Sequence, residues 1–79
     1  MRSVESRGLC RLMLRVPAWR AELLQTATEP FLKVCAEYEL AWDAINGFST
    51  AGATNTVEEF KKVVEFLEGE ALLIALRIH

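Results

Sequence analysis

Two series of apolar residues follow alternating steps of three and four, a spacing that places side chains along one side of an α-helix. The first series is Phe31, Val34, Tyr38, Ala41, Ile45 and Phe48. The second series is Val57, Phe60, Val64, Leu67, Ala71, Ile74 and Ile78. Two consecutive helices with apolar stripes can pack lengthwise against each other. The pattern therefore predicts an all-α fold in which residues 30–78 form an antiparallel helical hairpin.

The residues between the two series set the expected ends of these helices. The sequence Asn-Gly-Phe at 46–48 is typical of a helix C-terminus, with Gly47 in the left-handed conformation. Residues 49–55 are small or polar and predict a loop. Thr56 followed by Glu59 has the spacing of a capping box, so we expect the last helix to begin at Thr56.

The residues before the hairpin predict a basic arm at 1–16 and the start of a helical domain at 17–79. Pro17 suits the first turn of a shorter helix that should reach about Ala27. Pro30 interrupts a helix that arrives from the N-terminal side, and Thr28 is a suitable N-cap for the next one. One kinked helix across this break is the alternative to two separate helices.

The short length of the chain favours a core shared between two copies. A chain of 79 residues buries only about 60% of the surface that its unfolded form exposes. Because 52% of the residues are hydrophobic, we expect two hairpins to dimerise into a four-helix bundle. The predicted interface consists of Tyr38, Trp42, Ile45, Phe60, Val64, Leu67, Ala71 and Ile74.

The charges are divided unevenly along the chain. Residues 1–20 contain five arginines and one glutamate, whereas residues 21–79 contain four basic and ten acidic residues. Arg7, Arg11 and Arg15 would share one face of a helix and are candidate anion contacts. They could bind nucleic acid or an anionic membrane, or pack on the acidic part of the chain. An Arg-rich, acid-poor start is also typical of a mitochondrial transit peptide.

The residues with reactive or metal-binding side chains form no recognisable motif. Cys10 and Cys35 lie too far apart for a CxxC motif, and we expect Cys35 to be a buried thiol and Cys10 to be exposed. The only histidine is His79, so the Glu-x-x-His pattern of a helical metal site is absent from the sequence. We expect a solvated acidic face instead, formed by Glu37, Glu39, Asp43, Glu65, Glu68 and Glu70.

These observations predict an intracellular, cytoplasmic protein that is not an enzyme and has no catalytic residue, cofactor or metal. The longest apolar run, at residues 71–76, is far shorter than the roughly 18 to 20 residues that span a bilayer. The expected function is protein–protein interaction, as an adaptor, regulatory or assembly subunit that binds itself or another helical protein. The alternative is a small nucleic-acid-associated regulator that uses the arginine-rich arm.

Overall fold

The computed structural model describes residues 3–26 and 28–78, apart from the side chain of Ile78. This part of the chain forms four α-helices: α1 Val4–Arg15, α2 Arg20–Gln25, α3 Glu29–Thr50 and α4 Thr54–Ile78. Helices α3 and α4 pack antiparallel, and α1 also packs on α3, which confirms the all-α fold and the hairpin. The predictions made for His79 and for the side chain of Ile78 lie outside the described residues.

Most of the basic arm is a helix that is docked on the rest of the chain. The Ser3 hydroxyl caps α1 by accepting a hydrogen bond from the Ser6 amide at 3.2 Å. The helix ends where the Val16 amide donates to the Leu12 carbonyl at 2.9 Å, immediately before Pro17. Because Leu12 is fully buried, α1 belongs to the same core as the hairpin.

The α-helical conformation is interrupted twice before the hairpin, near Pro17 and near Pro30. Pro17 opens a 3₁₀ turn, Pro17–Trp19, which leads directly into α2. Helix α3 starts after Thr28, whose extended backbone occupies the N-cap position, and Pro30 lies in its first turn. Helices α2 and α3 are therefore separate, and the alternative of one kinked helix is wrong. The predicted end of the first helix, Ala27, lies outside the described residues.

The loop of the hairpin is shorter than expected, and both predicted helix ends next to it are wrong. Helix α3 continues through residues 46–48 to Thr50, and Gly52 takes the left-handed conformation, with φ of 78°, in place of Gly47. Thr56 is already helical, because the Val57 amide donates to the Ala53 carbonyl at 3.1 Å. The capping box predicted at Thr56 is thus an internal turn of α4.

An aromatic contact explains why α3 passes the predicted stop. The rings of Phe48 and Phe60 stack with their centroids 5.7 Å apart, across the hairpin. The helix has to extend beyond Gly47 to hold Phe48 in this place, and a glycine inside a helix costs only about 1 kcal/mol. The aromatic contact between two helices therefore outweighs the local signal for a helix end.

The core draws on all four helices of the described chain. Its buried hydrophobic residues are Leu12, Leu23, Phe31, Cys35, Tyr38, Ala41, Ile45, Val57, Val64, Leu67, Ala71 and Ala75. Ala75 rather than Ile74 continues the buried line of α4, because a straight helix repeats every 3.6 residues and the line drifts from the predicted frame. Ile74, Phe60 and Val34 are half-buried at the edge of this core.

Candidate interaction surface

The residues predicted as an interface come together, but they do so within a single chain. Tyr38, Ile45, Val64, Leu67 and Ala71 are buried in the seam between α3 and α4. The other three pack against the same core and are half-buried: Trp42, Phe60 and Ile74. Since these side chains already contact one another, the surface that remains for a partner lies elsewhere.

The arginine face of α1 is directed at carboxylates of the hairpin. Arg11 donates from Nε to Glu39 Oε2 at 3.0 Å and from its NH2 group to Glu39 Oε1 at 3.3 Å. The Arg11 guanidinium also lies 5.7 Å from the centre of the Trp42 ring. Glu39 is only 4% exposed, so its assignment to a solvated acidic face is wrong. The hydrogen bond from Arg11 holds the pKa of Glu39 below its usual 4.5.

A second ion pair connects α1 to α4. Arg15 Nε donates to Glu68 Oε2 at 3.1 Å, and the Tyr38 hydroxyl donates to the same oxygen at 2.6 Å. Glu68 and Glu70 are half-buried, so they too lie outside the solvated face to which the sequence assigns them. Burial, together with this hydrogen bond, raises the pKa of Tyr38 to about 12. We call Arg11, Arg15, Tyr38, Glu39 and Glu68 the arginine–glutamate network.

Helix α1 lies very close to the backbone of α3 at Gly8. A Cβ atom at this position would overlap the backbone carbonyl oxygen of Cys35. Cys35 is fully buried, as predicted, and burial raises its pKa to about 11, which keeps it a thiol. Cys10 is half-buried rather than exposed as expected, because α1 is docked and not extended into solvent.

A second group of apolar side chains lies on the side of the hairpin away from this network. We call it the outer face, and define it as Leu40 of α3 with Val63, Phe66, Leu73 and Leu76 of α4; their exposed fractions lie between 43% and 65%. A shallow groove of about 430 Å³ between α3 and α4 borders Leu40, Val63 and Phe66. Of the nine large apolar side chains that are exposed in the described part of the chain, five belong to the outer face.

The outer face could not be predicted from the buried apolar series of α4 alone. Phe66 and Leu73 are seven residues apart, two helical turns, but they fall out of frame with the buried series of α4. The signal in the sequence is the run at 71–76, which is apolar around the whole circumference of the helix. A helix with apolar residues on every side is typically buried on every side.

Within residues 3–26 and 28–78, no group of three or more His, Cys, Asp or Glu side chains could hold a metal ion. In the same part of the chain, no helix is both long enough and apolar enough to span a membrane.

The chain matches no protein-family model, no curated protein and no solved structure.

Proposed function

We propose that this protein is a small helical interaction module that associates with a second copy of itself through the outer face. The observation that carries the proposal is the exposure of large apolar side chains there, with Phe66 65% and Leu40 59% exposed. Contiguous apolar patches on a small protein mark sites that bind other proteins, because leaving them in water is unfavourable. The mechanism is the burial of matching apolar surfaces.

The chain is longer than it is thick. Its principal extents are 40 × 27 × 20 Å, and its radius of gyration is 12.8 Å. A compact domain of this length is expected to have a radius of gyration of about 11.6 Å. The chain is thus an elongated unit, and a second copy on the outer face would give a four-helix arrangement of two hairpins.

A self-associating module of this kind fits an adaptor, a regulatory subunit or an assembly subunit. Two-fold dimers are the commonest symmetric oligomers, and they bury the same patch of both copies. In such a dimer α1 and its arginine–glutamate network remain on the far side of each hairpin.

The alternative, a nucleic-acid-associated regulator, receives less support from the contacts of its arginines. Arg11 and Arg15 would have to leave Glu39 and Glu68 before they could bind phosphates. Of the other arginines that the structure describes before α2 ends, Arg7 and Arg20 are exposed, and two arginines alone give weak and strongly salt-dependent binding. The same reasoning applies to an anionic membrane. A titration with duplex DNA at about 100 mM salt should therefore show no binding.

The proposal is tested by the solution mass, measured by light scattering over a range of concentrations. The wild-type chain should approach twice 8.9 kDa, whereas Phe66→Asp should stay at 8.9 kDa with an unchanged circular-dichroism spectrum. The matched control is Leu14→Asp, because Leu14 is 84% exposed on α1 and lies outside the outer face. A wild-type monomer at every concentration, or a dimer that Phe66→Asp leaves intact, would overturn the proposal.

A further inference from the structure

We propose that the exposed side of α1 binds an acidic segment of another protein, with an apolar side chain of that segment against Leu14. We call this surface the basic face. It is defined by the residues of α1 and α2 that line two adjoining grooves: Arg7, Cys10, Arg11, Met13, Leu14 and Arg20. The basic face shares no residue with the outer face, so this partner is additional to the second copy and does not depend on self-association.

Leu14 is the apolar centre of the basic face. It is 84% exposed, the largest fraction among the large apolar side chains of the described residues. A single exposed leucine is ordinary on a protein surface, but Leu14 separates two grooves that both contain arginine. The groove with Arg7 and Arg11 measures about 260 Å³, and the groove with Met13 and Arg20 about 200 Å³. Both are smaller than the roughly 300 to 1,000 Å³ of a small-molecule site, so they suit single side chains of a protein.

The arginines of the basic face are accessible, whereas the acid beside them is not. Glu39 is the only acid that lines either groove, and it is 4% exposed and bonded to Arg11. Arg7 and Arg20 are exposed and form no salt bridge with a described residue. Three positive charges against one negative charge leave an excess of two. Carboxylates of a partner can bind these guanidinium groups through paired hydrogen bonds.

The charges that border the basic face do not cancel this excess. Asp43 of α3 also acts on Arg11, and with it the excess is still one positive charge. Glu5 lines a separate groove, and the half-buried Glu22 lines neither groove of the basic face. Beyond Leu14, the groove at the end of α1 contains charges of both signs: Arg15, Lys61 and Glu65. The positive excess is therefore confined to the surroundings of Leu14.

An acidic protein segment suits this surface better than a nucleic acid or a membrane. The phosphate backbone of a nucleic acid supplies charge but offers Leu14 no apolar contact. An amphipathic helix that lies on a membrane buries its apolar side there, whereas the apolar side of α1 faces the core through Leu12. A protein segment supplies carboxylates for the arginines and an apolar side chain for Leu14 together.

The proposal is tested by fluorescence anisotropy with a labelled peptide that repeats Glu-Leu-Glu, at about 100 mM salt. The wild-type chain should bind it, and should not bind the same peptide with glutamine in place of glutamate. Arg20→Gln and Leu14→Ser should each raise the dissociation constant about tenfold. The matched controls are Arg77→Gln and Phe66→Ser, which remove an exposed charge and an exposed apolar side chain outside the basic face. Both controls should bind like the wild type.

Four outcomes would overturn the proposal. The first is a wild-type chain that does not bind the acidic peptide. If Arg77→Gln weakened binding as much as Arg20→Gln, net charge rather than the basic face would explain the affinity. If Phe66→Ser abolished binding, the peptide would occupy the outer face. Finally, phosphatidylserine vesicles or duplex DNA that bind more tightly than the peptide, and are released by Arg20→Gln, would assign the basic face to a membrane or to a nucleic acid.

Discussion

The contact between α1 and α3 and the outer face of α4 are two helix surfaces with a glycine near the centre. At the first, Gly8 lies against the backbone of Cys35, and the neighbouring Leu12 is fully buried. At the second, Gly69 faces open space and the neighbouring Phe66 is 65% exposed. The first surface shows what a helical glycine permits when its partner helix is present. At the second, no helix of the described chain covers the glycine or the apolar side chains beside it.

The two surfaces also differ in whether their charged residues form ion pairs. Around the α1–α3 contact, the pairs of Arg11 with Glu39 and Arg15 with Glu68 fix the position of α1 along the hairpin. Beside the outer face, Glu59 and Arg77 are exposed at opposite ends of α4. The contact between α1 and α3 therefore combines apolar packing with ion pairs, whereas the outer face presents both its apolar side chains and its charges to solvent.

The largest predicted effect on stability is a difference between two consecutive residues of α4. Leu67 is 6% exposed in the seam with α3, whereas Phe66 belongs to the outer face. Leu67→Asp buries an unpaired carboxylate and should cost about 4 kcal/mol, enough to unfold a chain of this size. At concentrations at which the wild type is monomeric, Phe66→Asp should leave its thermal unfolding nearly unchanged. Circular dichroism on heating measures both, and a Leu67→Asp variant that melts like the wild type would remove Leu67 from the core.

The next largest effect on stability is predicted for Gly8, the glycine at the contact between α1 and α3. Gly8→Ala places a Cβ on the carbonyl oxygen of Cys35, and backbone atoms cannot move aside as a side chain can. We expect a net loss of about 2 to 3 kcal/mol, measured as a lower midpoint of urea unfolding. Displacement of α1 should also expose the Cys35 thiol to a labelling reagent, which the folded wild-type chain excludes.

Gly47→Ala is the control for this experiment, because a Cβ at Gly47 meets no described atom within 4 Å apart from its chain neighbours and the local backbone of its own helix. Removal of a glycine from a helix should stabilise the chain there by up to about 1 kcal/mol. If Gly8→Ala proved as stable as Gly47→Ala, the close crossing of α1 and α3 would be refuted.

The sequence was sufficient to predict the hairpin because its two stripes are local, repeating patterns. The ends of α3 and α4 were predicted wrongly, because the stacking of Phe48 on Phe60 depends on how the two helices face each other. The sequence patterns around Gly47 and Thr56 are local and carry no information about contacts between helices. Contacts between helices decided between continuing the helix and ending it.

The arginine–glutamate network could not be predicted for a similar reason. Arg11 and Glu39 are 28 residues apart, and they meet only because Gly8 lets α1 lie close to α3. The spacing of Arg7, Arg11 and Arg15 correctly indicated a shared face, but not which carboxylates that face would meet. Glu39 directly follows Tyr38 of the first stripe, and this position at the edge of the core is the signal that it can be buried.

The smallest effect tests whether the charges of the network hold α1 in place. Glu39→Gln keeps the shape of the side chain but removes its charge, and should cost about 2 kcal/mol at pH 7. The exposed Glu37 is the matched control, and Glu37→Gln should change the free energy of unfolding by less than about 0.5 kcal/mol. Because Arg11 lowers the pKa of Glu39 only in the folded chain, the unfolded chain takes up a proton first as the pH falls. The contribution of Glu39 is therefore complete above its usual pKa of 4.5 and is lost as the pH falls through its lower folded value.

Urea unfolding at a series of pH values should show the free energies of unfolding of the wild type and Glu39→Gln converging in acid. A difference between them that stays constant from pH 7 into the acid range would mean that the charge of Glu39 does not hold α1 on the hairpin.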